Sequence, residues 1–216
     1  MCNSISIGAD VRQLTEQFRI DNVLFYSAGR REISPTESLS AILVRKNERQ
    51  LDEFRWGLMP FWAKDSVWLD SRAILEKRAF QRILKKQRCV IPSSGFYITQ
   101  TENKRTVRVK LTMRGGTFGI AGLYDVWRSS SGDELRTCTM LMTEANPLVA
   151  PYMNRMPAIL GPEEVELWLA QELKEPLELQ ALLKPMDDRR MLSQAVASTN
   201  GKFSDADFDM PHPELA

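Results

Sequence analysis

Cys2 is the residue whose type and place could do the most chemistry. An initiator methionine is removed when the following residue is small, so the mature chain is expected to begin at Cys2, with a free α-amine beside its thiol. That pair is a 1,2-aminothiol. With ordinary pKa values of about 7.7 to 8.0 for the amine and about 8.5 for the thiol, both nucleophiles are available in usable fractions near neutral pH. Such a terminus condenses with an aldehyde: the amine forms an imine with loss of water, and the thiol closes onto the imine carbon as a five-membered thiazolidine. The same terminus is open to N-terminal-nucleophile amide hydrolysis, in which the amine acts as base for its own side-chain nucleophile. The plain alternative is a chain end whose cysteine has no role.

The other chemistry-bearing residues narrow the field. The one histidine, His212, lies between Pro211 and Pro213 in an acidic tail, so a Ser-His-Asp or Cys-His triad has no imidazole to use. Cys2, Cys89 and Cys138 show no C-x-x-C spacing, which argues against a disulfide framework and a zinc site. No metal and no cofactor is expected. Cys89 and Cys138 sit in apolar strand contexts where burial, not reactivity, is the expectation.

Net charge is +1, so a nucleic-acid role must rest on a local patch. One runs through Arg72, Lys77, Arg78, Arg82, Lys85, Lys86 and Arg88 against Glu76, a local excess of +6. Isolated arginines are ordinarily solvated surface charges. Phe61, Trp62 and Trp68 are dense enough to be core, although an exposed aromatic contributes about 1 to 3 kcal/mol when an unpaired base stacks on it.

The elements that must position these residues read as an α+β chain with a β-rich middle. Its 216 residues, 43% hydrophobic and 26% charged, suit one domain spanning 1–216, with a peripheral tail from about 203. No apolar run approaches the roughly 20 residues of a membrane span and no signal peptide precedes Cys2, so a soluble cytoplasmic monomer is expected. Asp10 caps a short helix carrying Val11, Leu14 and Phe18 on one face, Ser34 to Thr36 reads as a turn, and Ser40 to Val44 reads as a strand. Ile74, Leu75, Ala79, Ile83 and Leu84 recur at helical spacing, which predicts one amphipathic helix from Ser71 to about Lys86 with the basic patch on its outer face. Strands are predicted at Arg88 to Ile91, Gly95 to Thr101, Arg105 to Met113, Thr117 to Trp127 and Leu135 to Thr143, with a hairpin tip at Ser129 to Asp133. Helices follow from Pro162 and over Leu177 to Leu183.

Several segments, in order, resemble motifs of the SOS-response-associated peptidase family of abasic-site processing proteins. Met1-Cys2 resembles the family start Met-Cys-Gly-Arg, and Ile33-Ser34-Pro35-Thr36 its Asn-Ile-Ala-Pro-Thr turn. Arg55-Trp56-Gly57-Leu58-Met59-Pro60 with Trp62 resembles Trp-Gly-Leu-x-Pro-x-Trp, and Asp70-Ser71-Arg72-Ala73 resembles Asn-Ala-Arg-x-Glu. Glu76 to Phe80 is similar to Glu-Lys-Pro-x-Phe, Arg88 to Pro92 with Gly95-Phe96-Tyr97 to Arg-Cys-Leu-Ile-Pro-Ala-x-Gly-Phe-Tyr-Glu-Trp, and Asn154-Arg155-Met156-Pro157 to the end of His-x-Arg-Met-Pro. The resemblance implies a bifurcated, barrel-like mixed sheet flanked by helices and a protein that binds abasic sites in single-stranded DNA during the SOS response to damage. It further implies covalent capture of the opened sugar aldehyde by Cys2 as a thiazolidine, self-processing peptidase or lyase activity, and phosphate contacts from Arg72, Arg78 and Arg155 with Phe61 and Trp62 beside the bases.

The chain departs from that pattern at the polar positions. The motif glutamate falls on Ile98, the histidine on Met153, the asparagine on Asp70, the second glutamate on Ile74 and the arginine after Cys-Gly on Ser4. Each lost acid-base group removes about 10²- to 10⁴-fold of assistance, so steps that need them are expected to be weakened. Aldehyde capture needs them less, because the aminothiol supplies both nucleophiles. Asp70 keeps the size of the asparagine and offers a stand-in proton shuttle, at the risk of repelling phosphate. Two alternatives remain open: a non-catalytic single-strand-binding relic, with phage kinship, and an amidohydrolase.

Overall fold

Five strands with strongly apolar inner positions close on one another as a mixed barrel in the computed structural model, which describes residues 2–26, 32–58, 66–102, 105–173 and 175–196. They are β3 (Ser38–Arg45), β4 (Glu48–Trp56), β6 (Arg88–Ser93), β9 (Phe118–Arg128) and β10 (Glu134–Glu144), and the order β10-β4-β3-β6-β9 returns to β10. Neighbours are antiparallel except β10 with β4, where Cys138 lies beside Trp56 in parallel register. Closure leaves this part of the molecule without exposed sheet edges. Short strands extend the barrel: β2 (Asn22–Val23) on β4, β5 (Trp68–Asp70) and β11 (Arg155–Pro157) on β10, and β12 (Ile159–Leu160) on β9.

A second sheet of four strands, β1 (Cys2–Ser6), β7 (Gly95–Glu102), β8 (Arg105–Met113) and β13 (Met191–Val196), stacks against the barrel. Alternation places Ile5, Phe96, Ile98, Val109 and Leu111 in one buried cluster with the barrel residues Leu39, Phe54, Trp56, Ile91 and Ile120. A second cluster covers the outside of the barrel, where Ile42, Leu51, Val90 and Leu123 meet Leu14 and Phe18 of α1 (Val11–Phe18), Trp168 of α4 (Pro162–Leu169) and Leu179 of α5 (Pro176–Ala181). The barrel-like mixed sheet with helices packed on it is the fold that the resemblance implied. No helix among the described residues is long and apolar enough to cross a membrane.

Local signals explain most boundaries. Asp10 accepts from the Gln13 N–H at 2.8 Å while the Gln13 side chain accepts from the Asp10 N–H, a reciprocal cap that starts α1. The Ser129 to Asp133 tip does join two strands, with Gly132 at φ 92° supplying the left-handed residue. Two expectations change. The single helix from Ser71 to Lys86 is instead α2 (Ala73–Glu76) and α3 (Arg78–Lys86), broken at Lys77, whose φ of −105° and ψ of 112° are extended. The break lets α2 pack toward β5 and α5 while α3 packs toward β6 and β9. Arg88 leaves the solvated patch altogether: it begins β6 at 1% exposure and donates to the carbonyls of Trp168 at 2.6 Å, Leu84 at 2.6 Å and Ala170. Those carbonyls close α3 and α4, so this motif arginine ties two helix ends to the barrel. Burial brings its pKa down to about 10, and it remains a cation at neutral pH.

Candidate functional site

Cys2 opens β1, and its Cα lies opposite that of Ile98 on β7. The register then slips: Ser4 faces Tyr97, so one extra residue is accommodated on β1 as a bulge between Cys2 and Ser4. A bulge of this kind twists a strand end and re-aims the residue before it. This backbone pairing ties Cys2 to β7, an inner strand of the second sheet.

The position opposite Cys2 carries no proton-transfer group. Ile98 is 2% exposed inside the main apolar cluster, and Met153, half-buried, packs against that same cluster. Both motif positions that would hold an acid or base have therefore been absorbed into hydrophobic packing.

On the other side of β1 a polar group fills the space between strands. Ser4 Oγ donates to Glu32 at 2.5 Å, and Arg108 on β8 donates both to Glu32 and, at 3.4 Å, to Ser4 Oγ. The Arg108 guanidinium lies over the Tyr97 ring, 4.4 Å from its centre, with the Lys110 ammonium at 5.7 Å. Ile33 pairs with Ile5 as an isolated bridge, which is what brings Glu32 to Ser4. Burial raises the Glu32 carboxyl pKa, but hydrogen bonds from Arg108 and Ser4 and the Arg108 charge outweigh it and leave it low. A guanidinium therefore stands beside Ser4, supplied by a different strand. Alternation along β8 reads Arg108 as a solvated outward residue, yet it is 8% exposed, and nothing in the linear pattern signals its partner.

A second polar cluster is built on β10. Strand β5 runs parallel beside it with Asp70 at the level of Met142, and β11 runs antiparallel with Arg155 opposite Glu144. Asp70 turns the chain by accepting from the Arg72 N–H at 2.9 Å, then holds the Arg72 guanidinium through Nε at 3.2 Å and Nη2 at 2.9 Å. Arg155 Nη2 reaches the same carboxylate at 2.5 Å and the Met142 carbonyl at 3.0 Å. Burial pushes the Asp70 carboxyl upward, but bonds from Arg72 and the charges of Arg155 and Arg72 prevail, so its pKa falls below the ordinary value. An aspartate so engaged is an ion-pair partner, ionised throughout the neutral range, rather than a ready proton donor. Because it titrates lower folded than unfolded, its contribution to stability is complete above about pH 3.9 and is lost as pH falls through the folded value. Arg155 is 15% exposed at its side chain and its Nε has no partner among the described residues; Arg72 is 65% exposed and projects outward.

Arg78 is the first residue of α3 and is exposed, while Phe61 and Trp62 lie outside the described residues. Trp68 packs edge-on against Trp56, ring centres 4.7 Å apart, and is half-buried. Cys89 and Cys138 are fully buried, and burial pushes both thiols well above their ordinary range, as expected of inert core cysteines. Among the described residues no cluster of His, Cys, Asp and Glu is arranged to hold a metal.

Known proteins resemble this chain in sequence and fold. The family model described as SOS response associated peptidase (SRAP) matches residues 1–202. The abasic site processing protein YoqW of Bacillus subtilis is 33% identical over 211 residues, covering 92% of this chain and 93% of its own, and its counterpart in Bacillus phage SPbeta matches equally. The abasic site processing protein HMCES of Gallus gallus is 29% identical over 193 residues, 71% of this chain and 57% of that one. A solved structure from Bacteroides thetaiotaomicron superposes with a TM-score of 0.79 at 25% identity over 91% of this chain and 92% of that one. A phage-related protein from Bordetella bronchiseptica shares the fold at a TM-score of 0.74 and 14% identity, over 98% of this chain and 100% of that one. With its strand-bound Cys2, its barrel and this match over residues 1–202, the chain belongs to the SOS response associated peptidase family.

Proposed function

We propose that this protein binds abasic sites in single-stranded DNA as part of a DNA-damage response and captures the ring-opened sugar aldehyde through Cys2. The observation that carries the reading is Cys2 held in sheet register at the start of a chain of this family, whose relatives are named for abasic-site processing. Capture proceeds by attack of the Cys2 α-amine on the aldehyde carbon, loss of one water to give the imine, and addition of the thiol across the C=N bond. The thiol proton goes to the nitrogen and a thiazolidine closes. Every atom needed comes from the aminothiol and the sugar. Ile98 and Met153 hold no proton to give, so the reading assigns slow capture and weakened reversal or self-cleavage to this chain. Arg72, Arg78 and Arg155, with Phe61 and Trp62, are assigned to the strand.

The test is intact mass spectrometry after incubation with a single-stranded oligonucleotide carrying one abasic site. The expected result is a chain lacking Met1 that gains the oligonucleotide mass less one water and survives heating. A chain retaining Met1, or no adduct after long incubation while the strand still binds, leaves a non-catalytic single-strand-binding protein and removes the covalent reading.

Asp70 gives a second expected outcome. Its carboxylate already neutralises part of the Arg72 and Arg155 charge, so Asp70→Asn frees a guanidinium for phosphate. Affinity for an undamaged single strand should rise about threefold to tenfold at low salt, with the salt dependence of log K steeper by up to about 0.7. Fluorescence anisotropy across a salt series measures both; an unchanged slope would place the Asp70 cluster outside the strand path.

A further inference from the structure

Helix α3 gathers exposed cations in one row. Several arginines elsewhere are tied to acids: Arg45 and Arg136 to Asp52, Arg49 to Glu166, Arg155 to Asp70. On α3, Arg78, Arg82, Lys85 and Lys86 are all exposed, and none has an ion-pair partner among the described residues. Arg78 stands at the positive end of the helix, where the first turn holds no acid and the cap makes no side-chain bond. Cations are unfavourable there, and Arg78 with Arg82 and Arg82 with Lys86 are like-charge i,i+4 pairs. Lys85 and Lys86 at the other end suit the helix dipole, but their repulsion from Arg82 remains.

Positions 78, 82 and 85/86 fall on one side of the helix, about 6 Å apart along its axis, while Ile83 and Leu84 bury the opposite side. This is a row of charge held on a rigid, packed element. It follows α2 directly, which itself follows Arg72 and the Asp70 cluster. A helix carrying this row by itself is frustrated; one meeting a chain of phosphates is satisfied.

We propose that α3 is a phosphate rail, gripping the backbone of the DNA strand that flanks the captured lesion, with Arg82, Lys85 and Lys86 extending the contact begun by Arg72 and Arg78. The inference rests on the strand-binding reading above. Its ligand is sequence-independent phosphodiester, so it adds affinity for damaged and undamaged strands alike.

The experiment compares the full chain with an Arg82→Gln, Lys85→Gln, Lys86→Gln variant on an undamaged single-stranded oligonucleotide, measuring binding across a salt series. An Arg12→Gln variant, altering an exposed cation on α1, is the control. Three phosphate contacts contribute roughly 0.7 each, so the triple variant should flatten the slope of log K against log salt by about 2 and weaken binding by roughly tenfold or more at low salt, with the control slope unmoved. Equal slopes for the triple variant and the unaltered chain overturn the rail. A parallel incubation with the abasic oligonucleotide separates the two readings. A flattened slope without any adduct keeps the rail and removes capture; an adduct with equal slopes does the reverse; no binding by the unaltered chain removes both.

Discussion

With Cys2 replaced by serine, no heat-stable adduct with an abasic oligonucleotide accumulates at any incubation time, whereas a borohydride-trapped adduct still forms if the chain starts at residue 2. The reasoning separates the two nucleophiles. The α-amine survives the substitution and still condenses with the aldehyde, and hydride reduction of the imine to a secondary amine makes that bond permanent. Closure to a stable five-membered ring requires the sulfur, because the hydroxyl of serine has no anionic fraction to speak of near neutral pH, whereas a thiol of pKa about 8.5 has a few per cent. The expected loss of unreduced adduct is complete, the largest effect predicted for any single residue here. No other described cysteine can replace it, since Cys89 and Cys138 are buried with thiols held protonated. Capture by the unaltered chain should also accelerate from pH 6.5 to 8 as the amine loses its proton. Persistence of the unreduced adduct in Cys2→Ser would move the nucleophile elsewhere and end the aminothiol mechanism.

Arg88→Met should lower stability by about 3 to 5 kcal/mol. Methionine fills much of the same volume, so the loss is not a cavity effect. What disappears is the partner of three carbonyls, those of Leu84 and Trp168, in buried contacts, and of Ala170, in a part-buried one, at the ends of α3 and α4. Each buried acceptor left without a donor costs about 1 to 3 kcal/mol. The guanidinium also lies 6.0 Å from the centre of the Trp168 ring, so the change loosens α4 from the barrel at its apolar contact. The folded pKa of Arg88, about 10, lies below its unfolded value, so this group makes stability rise with pH only above about 10 and contributes no slope between pH 6 and 9. Urea unfolding of both proteins at pH 7 measures the difference. A shift under about 1 kcal/mol would mean that the carbonyls find water or other donors, and that the arginine of this motif is free for another task.

These two residues mark how unevenly the sequence can be read. Cys2 is legible as a candidate because an aminothiol would be a local property: two adjacent groups define its chemistry whatever the fold. Strands β8, β9 and β10 were legible for a similar reason, since alternation along Arg105–Met113 is a pattern within one segment. Strand β4 was not. Its run Glu48–Trp56 carries Arg49, Asp52, Glu53 and Arg55, which breaks any apolar alternation, yet Asp52 is buried because Arg45 and Arg136 reach it from neighbouring strands. Strand β13 is equally hidden in the sequence, as its pairing with β8 joins residues some 80 positions apart.

The candidate site divides along the same line. The sequence alone determined the candidate nucleophile, the apolar residues Ile98 and Met153, and the excess of cations after Arg72, because residue type suffices for each. Only the tertiary structure decided what those residues meet. It set Cys2 opposite Ile98 through strand register, locked Asp70 between Arg72 and Arg155, and placed Arg108 beside Ser4. It also divided the basic run into a buried Arg88 and an exposed row on α3. Charge and nucleophilicity belong to side chains and can be read one at a time; pairing, burial and the pKa shifts that follow from them depend on groups distant in sequence, and exist only once the sheets have closed.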